Sequence, residues 1–177
     1  MKNLALFVLF PLVFLIFVIQ ATSNDNNEKE FILLPEIMYG SSGEAKPKDT
    51  EGKIIGLYFS ASWCSSCRRF NPSLVRFRNQ NLEEFEVVLI SGDASDIAQE
   101  NYMKKFKMPW PALRNRSKEA KNLEESVKKI IDIEFISLPS LIILDPTGKV
   151  ISTNGKDEIL TLGDNALRSW KEENKRK

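Results

Sequence analysis

The stretch "KIIGLYFSASWCSSCRRF", residues 53–70, constrains this chain more than any other. Its first ten residues form a near-continuous apolar run rich in β-branched and aromatic side chains, which marks a strand buried on both faces. From Cys64 the period changes: Phe70, Leu74 and Phe77 recur at i, i+4 and i+7, with Arg68, Arg69, Arg76 and Arg78 at other positions. A buried strand therefore runs directly into an amphipathic helix, and the only two cysteines, Cys64 and Cys67, occupy the first turn. A strand covered on both faces needs a helix layer on each side, so the pattern predicts an α/β fold.

The remaining chain repeats this alternation. "FEVVLIS" reads as a second buried strand, and Ala98, Tyr102 and Phe106 recur at helical spacing until "KMPWP" ends the helix. Ser117 can cap a further helix with an apolar stripe through Ala120, Leu123, Val127, Ile130 and Ile131. "SLPSLIILD" is a third strand introduced by Pro139, "KVIST" its hairpin partner across "PTG", and a last helix is expected between Glu158 and Trp170 despite Gly163. Strands separated by helices predict a largely parallel core with an antiparallel hairpin at its edge and helices on both faces. The domain is expected over residues 53–172, with an extended arm at 24–52 and a charged tail at 173–177.

The first 23 residues have a different character. Lys2, the apolar run Leu4 to Ile19 and the small residues Ala21 and Ser23 make the three-part pattern of a secretory signal peptide cleaved after Ala21 or Ser23. An uncleaved anchor through residues 4–19 is the alternative, and only then is a membrane partner expected. Export to a secretory lumen, the cell exterior or a periplasm-like compartment is the expected localisation. In a eukaryotic secretory pathway, Asn115 in "NRS" is a candidate glycosylation acceptor. Basic and acidic residues nearly cancel, 25 against 24, and the basic ones are scattered, so nucleic-acid binding is not expected.

The cysteine pair suits neither a staple nor a metal. Closing so short a loop restricts the unfolded chain by only about 2 kcal/mol in the entropic account. A structural zinc site needs four Cys or His ligands, whereas the chain has two cysteines and no histidine. A Cys-x-x-Cys at a strand-to-helix junction is the setting for thiol–disulfide exchange. Unpaired N–H groups and the positive end of the helix dipole favour a thiolate at Cys64, so it is the expected nucleophile. Cys67, one turn inside, is the resolving thiol.

"WCSSCRRFNP" resembles the active site of the thioredoxin superfamily. The longer "LYFSASWCSSCRRFNPSLVRF" is similar to its tryparedoxin and nucleoredoxin branch, with "FEVVLISGD", "MPWPAL" and "SLPSLIILDPTGKVI" following in order. The resemblance covers roughly residues 53 to 152. It implies a thioredoxin-like fold, a central mixed sheet with helices on both faces. It also implies exchange with protein thiols and disulfides, an upstream redox partner, and no organic cofactor or metal. Residue by residue, Trp63 corresponds to a tryptophan that shapes the docking surface and Pro72 to a helix-kinking proline. Pro139 corresponds to a cis-proline facing the disulfide, with Leu138 presenting backbone groups to substrate, and Trp110 to a tryptophan near the rim.

Two departures stand out. The branch carries two prolines between its cysteines where this chain has Ser65 and Ser66, and Tyr58 stands where thioredoxins proper bury an acid. Proton transfer at Cys67 must then use water or another group. These departures motivate the alternative of a redox-inert adaptor that holds partner proteins through the same surface and Trp110. A peroxidase is disfavoured, because no separate peroxidatic cysteine precedes the pair.

Overall fold

The computed structural model describes residues 31–36, 38–40, 43–45 and 50–176; residues 1–23, where a signal peptide is expected, and the first part of the arm lie outside them. The elements are β1 (Met38–Gly40), β2 (Gly43–Ala45), β3 (Ile54–Ser60), α1 (Ser65–Gln80), β4 (Phe85–Ser91), α2 (Asp96–Lys105), α3 (Lys118–Ile130), β5 (Ser140–Leu144), β6 (Val150–Ser152), α4 (Gly155–Leu162) and α5 (Asn165–Arg176). Four strands form the central sheet in the order β4-β3-β5-β6.

Period-2 alternation within the strands divides the core into two layers. Ile54 and Tyr58 of β3, Phe85, Val87 and Leu89 of β4, and Leu141 and Ile143 of β5 pack with Phe70, Leu74 and Phe77 of α1 and with Trp170 of α5. Ile55, Leu57 and Phe59, Val88 and Ile90, and Ile142 and Leu144 pack on the other face with Leu123 and Val127 of α3. Each such side chain, taken out of water, contributes about 1.5–3 kcal/mol. The apolar strand runs follow from this two-sided burial.

The sheet is less parallel than the strand–helix alternation predicts. Only β3 and β4 run parallel; β5 lies antiparallel to β3, with Ser140 opposite Phe59 and Leu144 opposite Ile55, and β6 is antiparallel to β5. Two helices and an extended pass separate β4 from β5, since Ala112 bridges in parallel to Leu89. The nonhelical residues 131–139 then bring the chain back to the cysteine end before β5 begins. Hydrophobic period reports burial and carries no record of strand direction.

The arm also departs from expectation. Its residues 38–45 pair as an antiparallel hairpin, and Tyr39 bridges Ala112, which extends the sheet beyond β4. Ile32 and Met38 are buried in the α3-side layer. The Ile32 N–H donates to the Gly148 carbonyl at 2.9 Å. Gly148 has φ +92°, and a Cβ there would lie 2.3 Å from the Ile32 oxygen, so the contact requires glycine. Short polar spacing in "YGSSGEA" conceals the pairing.

The expected single C-terminal helix is two. Gly163 closes α4 with φ +54°, a conformation that costs glycine little, and α5 continues through the expected tail to Arg176. Glu158 joins these pieces by accepting from Trp170 Nε1 at 2.6 Å and from Ser152 Oγ. At the base of the sheet, Arg78 of α1 reaches Glu86 of β4 with two parallel hydrogen bonds, Nε to Oε1 at 2.8 Å and Nη2 to Oε2. Glu86 is an acid inside an otherwise apolar strand, and this pairing is what makes its burial tolerable.

Candidate active site

The cysteines lie where the sequence places them, at the C-terminal end of β3. Cys64 is the N-cap of α1 in extended conformation, and its Sγ accepts the Cys67 N–H at 3.1 Å. The two sulfurs form a disulfide with Cα atoms 5.3 Å apart. Cys64 is 6% exposed and Cys67 fully buried, so Cys64 is the sulfur that an incoming partner meets. Ser66 Oγ lies 3.4 Å from Cys64 Sγ. In the reduced protein, the Ser66 hydroxyl and the Cys67 N–H are two donors at the place where a Cys64 thiolate carries its charge, which lowers the cost of ionising it. In the sequence Ser66 stands out only as a departure from the branch's proline; its donor capacity shows once the helix turn folds it back on the sulfur.

The Leu138–Pro139 peptide bond is cis. Leu138 packs against Ala61, Cys64 and Cys67, so the segment leading into β5 forms the wall beside the disulfide. Trp63 is 65% exposed and is held by its Nε1 donating to the Gly92 carbonyl at 3.2 Å. Its broad face is therefore free beside Cys64. Below it, Asp93 is 1% exposed and accepts from Ser62 N at 3.0 Å and Ser62 Oγ at 2.6 Å, while Ser91 Oγ donates to its other oxygen. That carboxylate fixes the loop carrying Trp63 and Cys64.

Two expectations need correction. Trp110 has no exposed surface and stacks edge-on to Tyr58 with ring centroids 6.3 Å apart, so it is a core residue beneath the site and presents nothing to a substrate. A large aromatic ring between two prolines is as compatible with burial as with a rim, and the packing decides. Asn115 donates its side-chain amide to the carbonyls of Ser91 and Asp93 at 3.3 and 3.0 Å. A glycan on that nitrogen would remove one of these bonds, so the sequon residue serves in the fold as a clamp on the loop after β4.

Tyr58 heads a buried polar network. Its hydroxyl donates to Asn71 Oδ1 at 2.8 Å and lies 3.4 Å from the Cys67 carbonyl. Asn71 Nδ2 donates to the Tyr102 oxygen at 2.9 Å, and Tyr102 and Ser60 share a 2.8 Å hydrogen bond. Burial, and secondarily the neighbouring Tyr102, push the Tyr58 phenol far above its usual range. It is a neutral hydroxyl at every physiological pH and cannot serve as a base for Cys67. Asn71, i+4 from Cys67 on an apolar stripe, was the sequence signal for this network. Arg68 Nη1 donates to the Ser62 carbonyl at 2.7 Å, whereas Arg69 is solvent-exposed.

Together, a buried-strand-to-helix disulfide, an exposed flanking tryptophan and a cis-proline wall define a thioredoxin-fold site built around a Cys-x-x-Cys disulfide. A family model described as thioredoxin-like matches residues 52–150. The chain is 35% identical to a tryparedoxin of Trypanosoma brucei brucei over 136 residues, 75% of this chain and 90% of that protein. It is 37% identical to probable nucleoredoxin 1 of Arabidopsis thaliana over 117 residues, 65% of this chain but 19% of that much longer relative. The solved tryparedoxin from Trypanosoma brucei superposes with a TM-score of 0.64 at 34% identity, over 77% of this chain and 94% of that one. The chain belongs to the thioredoxin-like family, in its tryparedoxin and nucleoredoxin branch.

Proposed function

We propose that the protein is exported and exchanges disulfides with protein substrates through Cys64 and Cys67. The observation that carries this reading is the Cys64–Cys67 disulfide at the N-cap of α1, with one sulfur reachable and the other buried behind it. In the reducing direction, the Cys64 thiolate attacks a substrate disulfide, forming a mixed disulfide and expelling one substrate thiolate. Cys67 then loses its proton to solvent and attacks Cys64 Sγ, which releases the second substrate thiolate and leaves the internal disulfide. The substrate gains two electrons, and an upstream dithiol donor restores the protein. The buried network around Tyr58 is neutral and holds no base, so water takes the proton from Cys67.

Export is supported by the Lys2, Leu4–Ile19 and Ala21/Ser23 pattern ahead of the domain. Among the described residues no helix is long and apolar enough to cross a membrane. Insulin-disulfide reduction tests the chemistry: Cys64→Ser should abolish it, and Cys67→Ser should accumulate mixed disulfides with substrates. Full activity of Cys64→Ser would overturn this reading, and a wild type without activity would favour the redox-inert adaptor. N-terminal sequencing of the mature protein tests export, with a start at residue 22 or 24 expected and an intact Met1 in the cytosolic fraction contradicting it.

A further inference from the structure

Beside Cys64, between α1 and α2, lies a groove of about 310 Å³ lined by Ser62, Arg68, Asn101, Tyr102, Lys105 and Phe106. Two of its lining residues are cationic and none is a carboxylate. Arg68 stands one turn after Cys64, its backbone N–H donating to the Cys64 carbonyl at 3.2 Å. Because Nη1 donates to the Ser62 carbonyl, the guanidinium folds back over the start of the helix and keeps its remaining N–H groups for another acceptor. Lys105 is exposed at the end of α2, its ammonium 5.9 Å from the Phe106 ring centroid.

The nearby acids are committed elsewhere. Asp93 is buried against Ser62 and Ser91, Asp96 pairs with Arg114, and Glu100 with Lys104. Among the described residues, Arg68 and Lys105 make no ion pair. The groove thus carries two cations outside any ion pair among the described residues, and two of its lining residues, Ser62 and Arg68, flank Cys64 in the chain.

We propose that this groove is a substrate subsite for a carboxylate. The substrates it fits are proteins with an aspartate or glutamate beside the cysteine that Cys64 attacks. This rests on the disulfide-exchange reading above and adds a substrate class to it. A guanidinium fork and an ammonium offer charge-assisted hydrogen bonds to one carboxylate, and such contacts speed encounter and fix the orientation of the attacked disulfide. The exchange step is unchanged: the Cys64–substrate S–S bond forms as the substrate S–S bond breaks, and the departing thiolate takes a proton from water.

Three peptide disulfides that differ only in a Glu, Gln or Lys beside the cystine test the proposal with the pre-reduced protein. Rates should fall in the order Glu, Gln, Lys, with about a ten-fold span at low salt that shrinks severalfold at about 0.5 M salt, where charges are screened. Lys105→Gln and Arg68→Gln should each compress the Glu-to-Lys ratio severalfold. Equal rates for the three peptides, or a ratio untouched by Lys105→Gln, would overturn the subsite while leaving disulfide exchange standing. Failure of all three peptides to oxidise the protein would overturn the exchange reading and the subsite with it.

Discussion

The Tyr58 hydroxyl donates to Asn71 Oδ1 across the gap between β3 and α1, and Asn71 passes the connection on to Tyr102 of α2. Three elements that frame Cys67 are thereby joined by neutral groups alone. Tyr58→Phe leaves the Asn71 oxygen buried without its donor, and should cost about 1–3 kcal/mol of stability. The pH signature is separate. Tyr58 has a raised pKa in the folded state, while the unfolded phenol titrates near 10, so its stabilisation is complete below pH 10 and is lost as pH rises above it. Denaturant titrations at pH 8 and pH 11 should show a steeper alkaline loss for the wild type than for Tyr58→Phe.

Ser66 supplies a donor 3.4 Å from Cys64 Sγ. Ser66→Ala removes it and should move alkylation of the reduced Cys64 to higher pH, because the charged sulfur loses a hydrogen-bond donor. The pH dependence of iodoacetamide alkylation reads this directly. An unshifted profile would show that the hydroxyl does not reach the thiolate.

The two tryptophans should separate cleanly. Trp110→Ala empties a fully buried site and should cost about 3–5 kcal/mol in denaturant unfolding. Trp63→Ala removes an exposed ring and should change stability by less than about 0.5 kcal/mol while lowering kcat/KM for protein disulfides about ten-fold. Comparable losses of stability for both would contradict their placement.

Arg78 covers the one acid buried inside β4, its own side chain 13% exposed against 2% for Glu86. Arg78→Leu strands that carboxylate and should destabilise the fold by about 3–5 kcal/mol. Adding Glu86→Leu should recover much of the loss, because two apolar side chains can fill the space without an unpaired charge. Insulin reduction by the double variant at low temperature should match the wild type, since the pair lies at the sheet end away from the cysteines.

What could be read from the sequence follows from periodicity and spacing. The strand ending at Ser60, the helix beginning beyond Cys64 and the position of the two cysteines at that junction were legible, because burial on both faces and a change of period leave local marks. The direction of β5 was not legible, since it depends on the nonlocal return of residues 131–139. Trp110 was assigned to the rim because an aromatic beside prolines fits both settings, and only packing against Tyr58 separates them. Asn71 gave a signal that was overlooked, a polar residue at i+4 from Cys67 on an otherwise apolar stripe. Asp93 gave none, as its partners Ser62 and Ser91 come from different elements.

The hydrogen bond from Ile32 to Gly148 has a bearing on how the molecule is presented. Gly148 lies in the turn between β5 and β6, at the end of the sheet remote from Cys64, and a seven-residue strand such as β3 spans roughly 23 Å. The polypeptide therefore comes into its domain at the pole opposite the sulfurs. Trp63 and Cys64 thus stand on the face turned away from Ile32, one of the first described residues.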